Sequence, residues 1–434
     1  MASGFWQLQE KKKAMSLDKS CQKPVASSQQ QHKNKNTMRQ IITSLLDNDL
    51  YTFSVCYAYL QKFPRAMGQY TFVDRNNTVY PKGFAEKLRE QFDLYGNIKI
   101  TDEEVRFMKR KCYYFPLWFF TFLKGFHMRP SEVEVSQDEE GHLNITVTGL
   151  LWRTVFWEMP ILATVSEMMH EMKGEFEHYD AQKEYEKSYA KGIRLIGNGV
   201  KFSDFGTRRR FSFEHQDLVI RSFIEAQKQF TKTCFVGTSN VLLAMKYDLT
   251  PIGTMSHQFI ETCSLYGYNE ANYLAMDYWQ EVYAGSLGVF LYDTYTRKAF
   301  FQNFTTLHAK LFDGLRVDSG DNYEALEEII EKYKELGIDP AQKSIIFSNG
   351  LNVDEAIAIH EAVNGRMQDS FGIGTHLTCD VDNVKAMNIV VKLTAAKITE
   401  KRTWKKVVKL SDDHGKYTGD PGEIEICKKT LEIE

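Results

Sequence analysis

The feature that most constrains this chain is a pattern repeated between residues 200 and 376. In each repeat a short apolar run ends in a polar cluster, and a helical stretch follows. Alternating strands and helices of this length predict a parallel sheet, and seven such units favour a closed or nearly closed β/α barrel. The clusters lie at Asp204–Arg208, Gly237–Asn240, Gly253–His257, Asp293–Tyr295, Arg316–Asp321, Ser348–Gly350 and Gly372–Thr375. Because the carboxyl ends of parallel strands meet at one rim, we expect one shared site and therefore an enzyme.

The length of the chain bounds its domain organisation. At 434 residues it exceeds what one hydrophobic core usually serves, so roughly two domains are expected. We predict the α/β class: an incomplete or irregular TIM-like β/α barrel with an additional mixed α+β N-terminal domain. The catalytic barrel is expected at residues 151–393, and the mixed domain at residues 38–150, completed by residues 394–434. Residues 1–37 carry few apolar side chains and no periodicity, which predicts a disordered tail or an added extension.

Local patterns place the individual elements. The mixed part is predicted to contain helices at Asp47–Gln61, Gly83–Tyr95 and Asp102–Lys111, a strand at Tyr70–Asp74 and a hairpin of Glu132–Val135 with Leu143–Val147. The stretch Thr154–Glu175 is apolar nearly all round, which predicts a long buried helix. Barrel helices are predicted at Phe213–Phe230, Glu270–Tyr283, Arg297–Lys310, Tyr323–Leu336 and Val353–Val363. The chain is expected to leave the barrel after Asn388–Leu393.

Charge and cysteine content argue against several classes of function. The formal net charge of −3 gives no general field that would attract nucleic acid or a membrane surface. The cysteines are scattered and lack Cys-x-x-Cys spacing, which indicates neither a disulfide framework nor a zinc site and fits a cytoplasmic location. No run approaches the roughly 20 apolar residues of a membrane-spanning helix. The segment Tyr113–Leu123 comes nearest, but it contains Pro116 and is predicted to be buried or to face another subunit.

Two of the clusters predict binding of an anion. Arg208, Arg209 and Arg210 follow a predicted strand and precede a helix, where guanidinium groups and free backbone N–H groups suit phosphate oxygens. The alternative is a solvated basic turn. The glycine loops at Gly350 and at Gly372–Thr375 would let the backbone approach a phosphate, although a plain tight turn explains them equally well. Neither a complete dinucleotide fingerprint nor a Walker A motif is present.

Two further clusters carry titratable groups. His257 follows Gly253 at a predicted strand end, where an imidazole could be a base, a nucleophile or a ligand. Arg316, Asp318 and Asp321 place a cation and two carboxylates together, and Asp293 adds an acid from the preceding strand. Carboxylates on a rim that binds phosphate suit Mg²⁺ or sugar hydroxyls, while the alternative is a set of local ion pairs. No spacing typical of a transition-metal site is present.

In their order and spacing, these clusters resemble those of the nicotinate phosphoribosyltransferase family. The similarity extends from about Ile41 to Lys416 and is most specific at Leu45–Tyr51, Asp204–Ser212, Phe235–Asn240, Thr250–His257, Leu315–Asp321 and Phe371–Asp380. It implies the reaction of nicotinate with phosphoribosyl pyrophosphate to give nicotinate mononucleotide and pyrophosphate. It also implies ATP as co-substrate, Mg²⁺ as cofactor and a homodimer with shared active sites.

The resemblance further implies a role for each matching residue. His257 corresponds to the histidine that ATP phosphorylates. Phe205 and Tyr51 correspond to the aromatic side chains on either side of the pyridine ring, with the tyrosine coming from the partner subunit. The remaining implied assignments are Arg208 and Arg316 around the diphosphate and ring, Asp293 and Asp318 as ribose-linked or metal-linked acids, Gly350, Gly372, Gly374 and Thr375 around the 5′-phosphate, and Lys409, Ser411 and Lys416 in a late basic loop.

Two positions bear on the choice of substrate. Ser239 stands where the nicotinamide-using relatives resemble Asp, and a hydroxyl there removes a repulsion against a substrate carboxylate. Nicotinate is therefore favoured, with nicotinamide or quinolinate as the alternative substrates and a non-catalytic nucleotide binder as the alternative from another class. Thr52 stands where the family usually has Lys, which leaves the contribution of this segment to phosphate binding open.

Overall fold

The structure, a computed structural model, describes residues 39–413 and 417–433. The chain divides into two units, Met1–Gln40 and Ile41–Glu434, and the second holds all the elements below. The predicted tail at residues 1–37 and the site residue Lys416 lie outside the described residues, so both stay predictions. In chain order the strands are β1 (Met67–Asp74), β2 (Val133–Gln137), β3 (Leu143–Leu150), β4 (Phe202–Asp204), β5 (Phe235–Thr238), β6 (Val289–Leu291), β7 (Gly314–Val317), β8 (Ser344–Phe347), β9 (Gln368–Ile373), β10 (Ile389–Lys397) and β11 (Lys405–Lys406).

The parallel sheet confirms the predicted α/β class. Its six strands are ordered β5-β4-β9-β8-β7-β6, and every neighbouring pair is parallel. The predicted seventh unit, before Gly253, forms only a single parallel bridge between Thr238 and Pro251. Among the described residues, hydrogen bonding therefore does not close the ring between β5 and β6, and the barrel is incomplete.

The second sheet is antiparallel and has the order β11-β10-β1-β3-β2. It contains the predicted hairpin as β2 and β3. The sequence placed Asn388–Leu393 at the end of the barrel, but β10 instead pairs along the whole of β1, from Met67 opposite Lys397 to Asp74 opposite Ile389. A short apolar run resembles a buried parallel strand, and its pairing partner cannot be read from the run itself. Both sheets lie in one compact unit, and the division into two domains stays a prediction.

The helices surround both sheets, and several keep their predicted bounds. They span Leu50–Lys62, Phe84–Tyr95, Asp102–Lys111, Leu117–Gly125, Leu151–Thr154, Glu158–Met172, Ala181–Gly197, Phe213–Gln227, Val241–Lys246, His257–Cys263, Tyr268–Tyr283, Thr296–Asn303, Thr306–Leu311, Asn322–Glu335, Val353–Val363, Thr375–Thr378 and Pro421–Thr430. Asp102–Lys111 and Val353–Val363 match the prediction at both ends. Each begins with a reciprocal capping box, in which the cap side chain and a glutamate satisfy each other's backbone N–H groups.

Two predicted helices are interrupted. Thr154–Glu175 divides into a 3₁₀ turn at Val155–Trp157 and the helix Glu158–Met172, whose residues from Glu158 to His170 are all buried, as expected. Arg297–Lys310 divides near Phe304 because the Thr305 side chain caps a new helix by accepting from the His308 N–H.

The apolar segment Tyr113–Leu123 is only partly buried. Phe119, Phe120 and Leu123 belong to the core, whereas Tyr113 and Leu117 are 79% and 73% exposed. Across residues 39–413 and 417–433, no helix combines the length and the apolar character needed to cross a membrane.

Candidate active site

The carboxyl ends of the parallel strands converge on three neighbouring cavities of about 50, 350 and 310 Å³, which we call the first, second and third cavity. Arg208 and Asp318 line all three, and Arg316 lines the first and second. Clusters separated by more than a hundred residues are thus brought to one place, as expected for strand ends on a common rim.

Most of the predicted site residues line these cavities. Besides Arg208, Arg316 and Asp318, the first cavity contains Tyr51 and His257; the second contains Phe205, Gly350, Gly372, Gly374 and Thr375; and the third contains Gly350, Lys409 and Ser411. Ser239 and Asp293 do not line any of the three.

His257 is buried and held at both ring nitrogens. Its Nδ1 lies 3.0 Å from the Thr294 hydroxyl, while its Nε2 lies 3.1 Å from Asp318 Oδ2 and 3.0 Å from Lys409 Nζ. Burial lowers the pKa of His257 to about 4, and the positive charge of Lys409 acts in the same direction. The imidazole is therefore neutral at pH 7, the state in which a ring nitrogen can act as a nucleophile.

Asp318 connects the histidine to the phosphate loops. The Ser348 hydroxyl donates to its Oδ1 over 2.6 Å, and Arg316 lies 3.6 Å from the same oxygen. Burial opposes ionisation, but Arg316 and His257 hold the pKa of Asp318 well below its usual value. Asp318 is therefore a permanent negative charge in the middle of the cavities.

Asp293 lies beneath the cavities. It is fully buried, and Ser319 donates to its Oδ2, while its Oδ1 has no hydrogen-bond partner in the described part of the chain. In that part no group of three or more His, Cys, Asp or Glu residues is arranged to hold a metal ion. Mg²⁺ that arrives with phosphates needs only one or two carboxylates from the protein. Asp318 lines the cavities and fits such an ion directly. Asp293 is buried beneath them and is better suited to hold Ser319 in place.

The glycine loop is shaped around Phe205. A Cβ atom at Gly372 would overlap the Phe205 ring, and one at Gly374 would lie 3.4 Å from the Phe205 carbonyl oxygen. The Phe205 N–H donates to the Ile373 carbonyl over 2.8 Å, which fixes the ring against the loop. Glycine at position 372 therefore lets an aromatic face and the backbone of β9 share one wall of the second cavity.

The three consecutive arginines have different roles. Arg208 and Arg209 line the cavities, whereas Arg210 is fully buried in a bidentate pair with Asp47, at 2.7 and 2.8 Å. Asp47 also accepts from Asn240 over 2.7 Å. Because Asp47 is held in this way, it precedes the helix Leu50–Lys62 instead of starting it, in contrast to the prediction.

Sequence reasoning missed the cations that the antiparallel sheet provides. Arg75, directly after β1, lines the third cavity, and Lys392 on β10 lines the first and third. Burial and the nearby Lys409 lower the pKa of Lys392 to about 8, and burial together with Arg208 and Arg75 lowers the pKa of Arg209 to about 10. Such a concentration of positive charge suits a diphosphate. The one available signal was that the basic residue Arg75 directly follows a predicted strand.

The first cavity also contains buried acids that were not predicted. Tyr51 donates to Glu158 over 2.8 Å, and Arg208 lies 3.9 Å from the same carboxyl group. Burial raises the pKa of Glu158 and brings that of Glu261 to about 7. Tyr51 lines the first cavity of its own chain, because the helix that begins at Leu50 packs beside the rim, and its predicted contribution to a partner subunit's site stays a prediction.

Two residues tied to substrate choice lie outside the cavities. The Ser239 hydroxyl donates to Asp49 over 2.8 Å, so its proton is already engaged and the predicted donation to a substrate carboxylate does not follow. Burial raises the pKa of Asp49, although Arg208 opposes this. Thr52 is fully buried on the side of its helix that faces the core. The replacement of the family's lysine by threonine therefore removes no side chain from the cavity wall.

Fold and site together define a β/α-barrel enzyme whose rim is equipped for an anionic, phosphate-bearing substrate. The sequence pattern described as "Nicotinate phosphoribosyltransferase (NAPRTase) family" matches residues 200–434, and the pattern of the corresponding N-terminal domain matches residues 46–166. The chain belongs to the nicotinate phosphoribosyltransferase family.

Individual relatives agree with this assignment. The chain is 40% identical to a nicotinate phosphoribosyltransferase of Desulforapulum autotrophicum over 90% of its own length and 99% of the relative's. Among solved structures, the enzyme of that name from Porphyromonas gingivalis is 43% identical, with a TM-score of 0.87 over 91% of this chain and 100% of that one. A putative nicotinate phosphoribosyltransferase from Saccharomyces cerevisiae is 30% identical, with a TM-score of 0.86 over 92% of this chain and 100% of the yeast chain.

Proposed function

We propose that this chain transfers the phosphoribosyl group of phosphoribosyl pyrophosphate to nicotinate. The bond between the anomeric carbon and the pyrophosphate oxygen breaks, the pyridine nitrogen uses its lone pair to bond to that carbon, and pyrophosphate leaves. The products are nicotinate mononucleotide and pyrophosphate. Family membership supports this reaction, and so does the arrangement of Phe205, Tyr51 and the cations around connected cavities.

The observation that carries the proposal is the convergence of one nucleophile, one fixed carboxylate and several cations. His257 lies within hydrogen-bonding distance of both Asp318 and Lys409, and Arg208 and Arg316 line the same cavities. As the bond to pyrophosphate breaks, negative charge grows on the leaving group, and prearranged cations stabilise that charge. A protein that only bound nucleotides would have no use for a neutral, oriented histidine beside them.

Each charged group of the substrates can be matched with cavity residues of complementary chemistry. Phe205 lies against the glycine loop of β9, where the backbone can approach the 5′-phosphate closely. Arg75, Lys392 and Lys409 line the third cavity and suit the diphosphate. The arginines of the first cavity, Arg208 and Arg316, can balance the carboxylate of nicotinate, whereas Ser239 lies outside this cavity. Mg²⁺, held by Asp318 and the diphosphate, would supply Lewis-acid stabilisation of the leaving group.

We propose that ATP acts through His257. The imidazole is neutral, and the Thr294 hydroxyl fixes one nitrogen while the other faces Lys409. With the ring proton on Nδ1, Nε2 would attack the γ-phosphorus of ATP through its lone pair, the bond from that phosphorus to the bridging oxygen would break, and ADP would leave with that oxygen. The phosphorylated ring would add negative charge between Lys409 and Asp318 and so alter the positions of the loops that carry them.

The test is turnover of nicotinate and phosphoribosyl pyrophosphate with and without ATP, in the intact chain and in His257→Ala. We expect the variant to lose ATP-stimulated turnover but to keep some ATP-independent synthesis, because the arginines and glycine loops remain. His178→Ala, a change at an exposed histidine, is the matched control. Equal loss of both activities in His257→Ala would contradict the role of the histidine in coupling.

Substrate choice and assembly need separate measurements. Product formation from nicotinate, nicotinamide and quinolinate under equal conditions should favour nicotinate, and a preference for either other pyridine would overturn the proposed substrate. The homodimer and the cytoplasmic location stay predictions. Light scattering during size-exclusion chromatography tests the dimer, and the position of Tyr51 within its own chain means that a monomer would still contain this wall of the site.

A further inference from the structure

A separate cavity of about 690 Å³ lies at the other end of the antiparallel sheet, and we call it the sheet-end cavity. Met67 at the start of β1 and Leu150 at the end of β3 form part of its wall. Tyr70, which lines the first cavity, lies three residues further along β1, which corresponds to about 10 Å. The sheet-end cavity therefore neighbours the catalytic cavities without sharing a lining residue with them.

Only one of the four basic side chains that line the sheet-end cavity forms a direct ion pair with the described residues. Arg153 and Glu132 form an ion pair that is mostly buried, at 12% and 6% side-chain exposure. Arg65, Arg129 and Lys401 also line the cavity, and within residues 39–413 and 417–433 no hydrogen bond or ion pair engages these three side chains. Glu400 lies on the rim beside them, and Glu132 attracts Arg129 without a direct ion pair. Three cations without a direct ion-pair partner, next to Met67 and Leu150, match the requirements of a phosphate group attached to an apolar body.

A chain of contacts leads from this cavity to the catalytic site. Glu132 accepts from Arg153 and from the Trp157 indole N–H, the latter over 3.4 Å. Gly149 leaves room for this carboxylate, since a Cβ atom there would overlap Glu132 Oε1. Trp157 is fully buried and directly precedes Glu158, which accepts from Tyr51 in the first cavity. A ligand that competes with Glu132 for Arg153 would therefore act on residues next to the catalytic wall.

We propose that the sheet-end cavity binds a small molecule carrying a phosphate monoester on an apolar or aromatic body, of roughly mononucleotide size, and that its occupancy changes the binding of nicotinate. Arg65, Arg129 and Lys401 bind the phosphate, while Met67 and Leu150 contact the body. Arg153, Glu132 and Trp157 transmit the occupancy to Glu158 and Tyr51.

The binding part is tested by equilibrium titration of the full chain with AMP and, separately, with inorganic phosphate. Arg65→Ala/Arg129→Ala should weaken AMP binding at this site by at least roughly tenfold. Arg106→Ala/Arg110→Ala, which removes the same charge from the exposed face of the helix Asp102–Lys111, should leave it unchanged. Arg208→Ala/Lys409→Ala, which disables the catalytic cavities, should retain AMP binding at the sheet-end cavity.

Equal AMP affinity in the Arg65→Ala/Arg129→Ala variant and the intact chain would overturn the proposed site. Inorganic phosphate binding as tightly as AMP would overturn the proposed contact with an apolar body.

The coupling part is tested by the KM for nicotinate with and without AMP, and this readout rests on the proposed function, whereas the titration does not. We expect AMP to shift the KM in the intact chain and in the Arg106→Ala/Arg110→Ala control. The shift should disappear in Arg65→Ala/Arg129→Ala, with kcat unchanged in the absence of AMP. A shift that persists in that variant would assign the effect to the catalytic cavities, and binding without any shift would overturn the coupling.

Discussion

The parallel and antiparallel sheets both place cations around the same cavities, but the cations of the two sheets differ in whether a carboxylate of the protein pairs with them. On the parallel rim Arg208 lies 3.9 Å from Glu158, and Arg316 lies 3.6 Å from Asp318. On the antiparallel sheet Arg75 and Lys392 form no ion pair with the described residues, and the pKa of Lys392 is lowered to about 8 by burial and by Lys409. The rim therefore supplies charges that are already positioned, and the sheet supplies charges that a ligand must neutralise.

This difference separates two tasks within the site. A cation fixed by a carboxylate is ready to stabilise charge that develops during the reaction, because it needs no reorganisation. A cation without a partner contributes mainly to binding of the anion, since the ligand relieves its repulsion from neighbouring cations. We therefore expect changes on the rim to lower kcat and changes on the sheet to raise the KM for phosphoribosyl pyrophosphate.

The largest expected effect is a difference in the free energy of unfolding between variants at two adjacent arginines of the rim. Arg210→Ala leaves Asp47 buried without its bidentate partner, which should lower the free energy of unfolding by about 3–5 kcal/mol. Arg209→Ala removes a side chain that lines the cavities and should leave stability nearly unchanged while weakening substrate binding. Urea unfolding of both variants measures the stability, and similar midpoints would show that the buried pair does not have the structural role assigned to it.

The next effect compares the two sheets directly. Arg316→Ala should reduce kcat by roughly 10²-fold, as expected when a preorganised group that stabilises developing charge is removed. Lys392→Ala should instead raise the KM for phosphoribosyl pyrophosphate by about tenfold with a smaller change in kcat, equivalent to about 1.4 kcal/mol. Steady-state kinetics on both variants decides the comparison. A fall in kcat for Lys392→Ala as large as that for Arg316→Ala would remove the distinction between rim and sheet.

The smallest effect is a dependence on pH that comes mainly from Lys392 of the antiparallel sheet, with Glu261, whose pKa is about 7, acting at the lower end of the range. Lys392 is charged below its pKa of about 8 and neutral above it, so affinity for the diphosphate should fall as the pH rises through this value. The KM for phosphoribosyl pyrophosphate should rise several-fold between pH 7 and pH 9. Lys392→Arg keeps its charge over this range and should flatten the profile. An unchanged profile in Lys392→Arg would assign the titration to another group.

Local signals in the sequence were enough for much of the rim. The Asp321 side chain caps the helix Asn322–Glu335, and Gly337, just past its end, takes a positive φ of +71° that suits glycine. Arg208, His257, Arg316 and Asp318 could be selected because each stands at the end of a strand-like run. The antiparallel contribution could not be selected in this way, because Lys392 lies within a strand and nothing nearby indicates which way it faces.

The sequence by itself determined the alternation of strands and helices, the caps that start several helices and the polar clusters at the rim, because these depend on residues a few positions apart. Tertiary structure decided the pairing of β10 with β1, the separation of Arg210 from its two neighbours and the engagement of Ser239 with Asp49. Each of these joins residues more than 150 positions apart. Burial then set the charges of His257 and Lys392, since the loss of water that shifts a pKa depends on all the chain segments packed around the group.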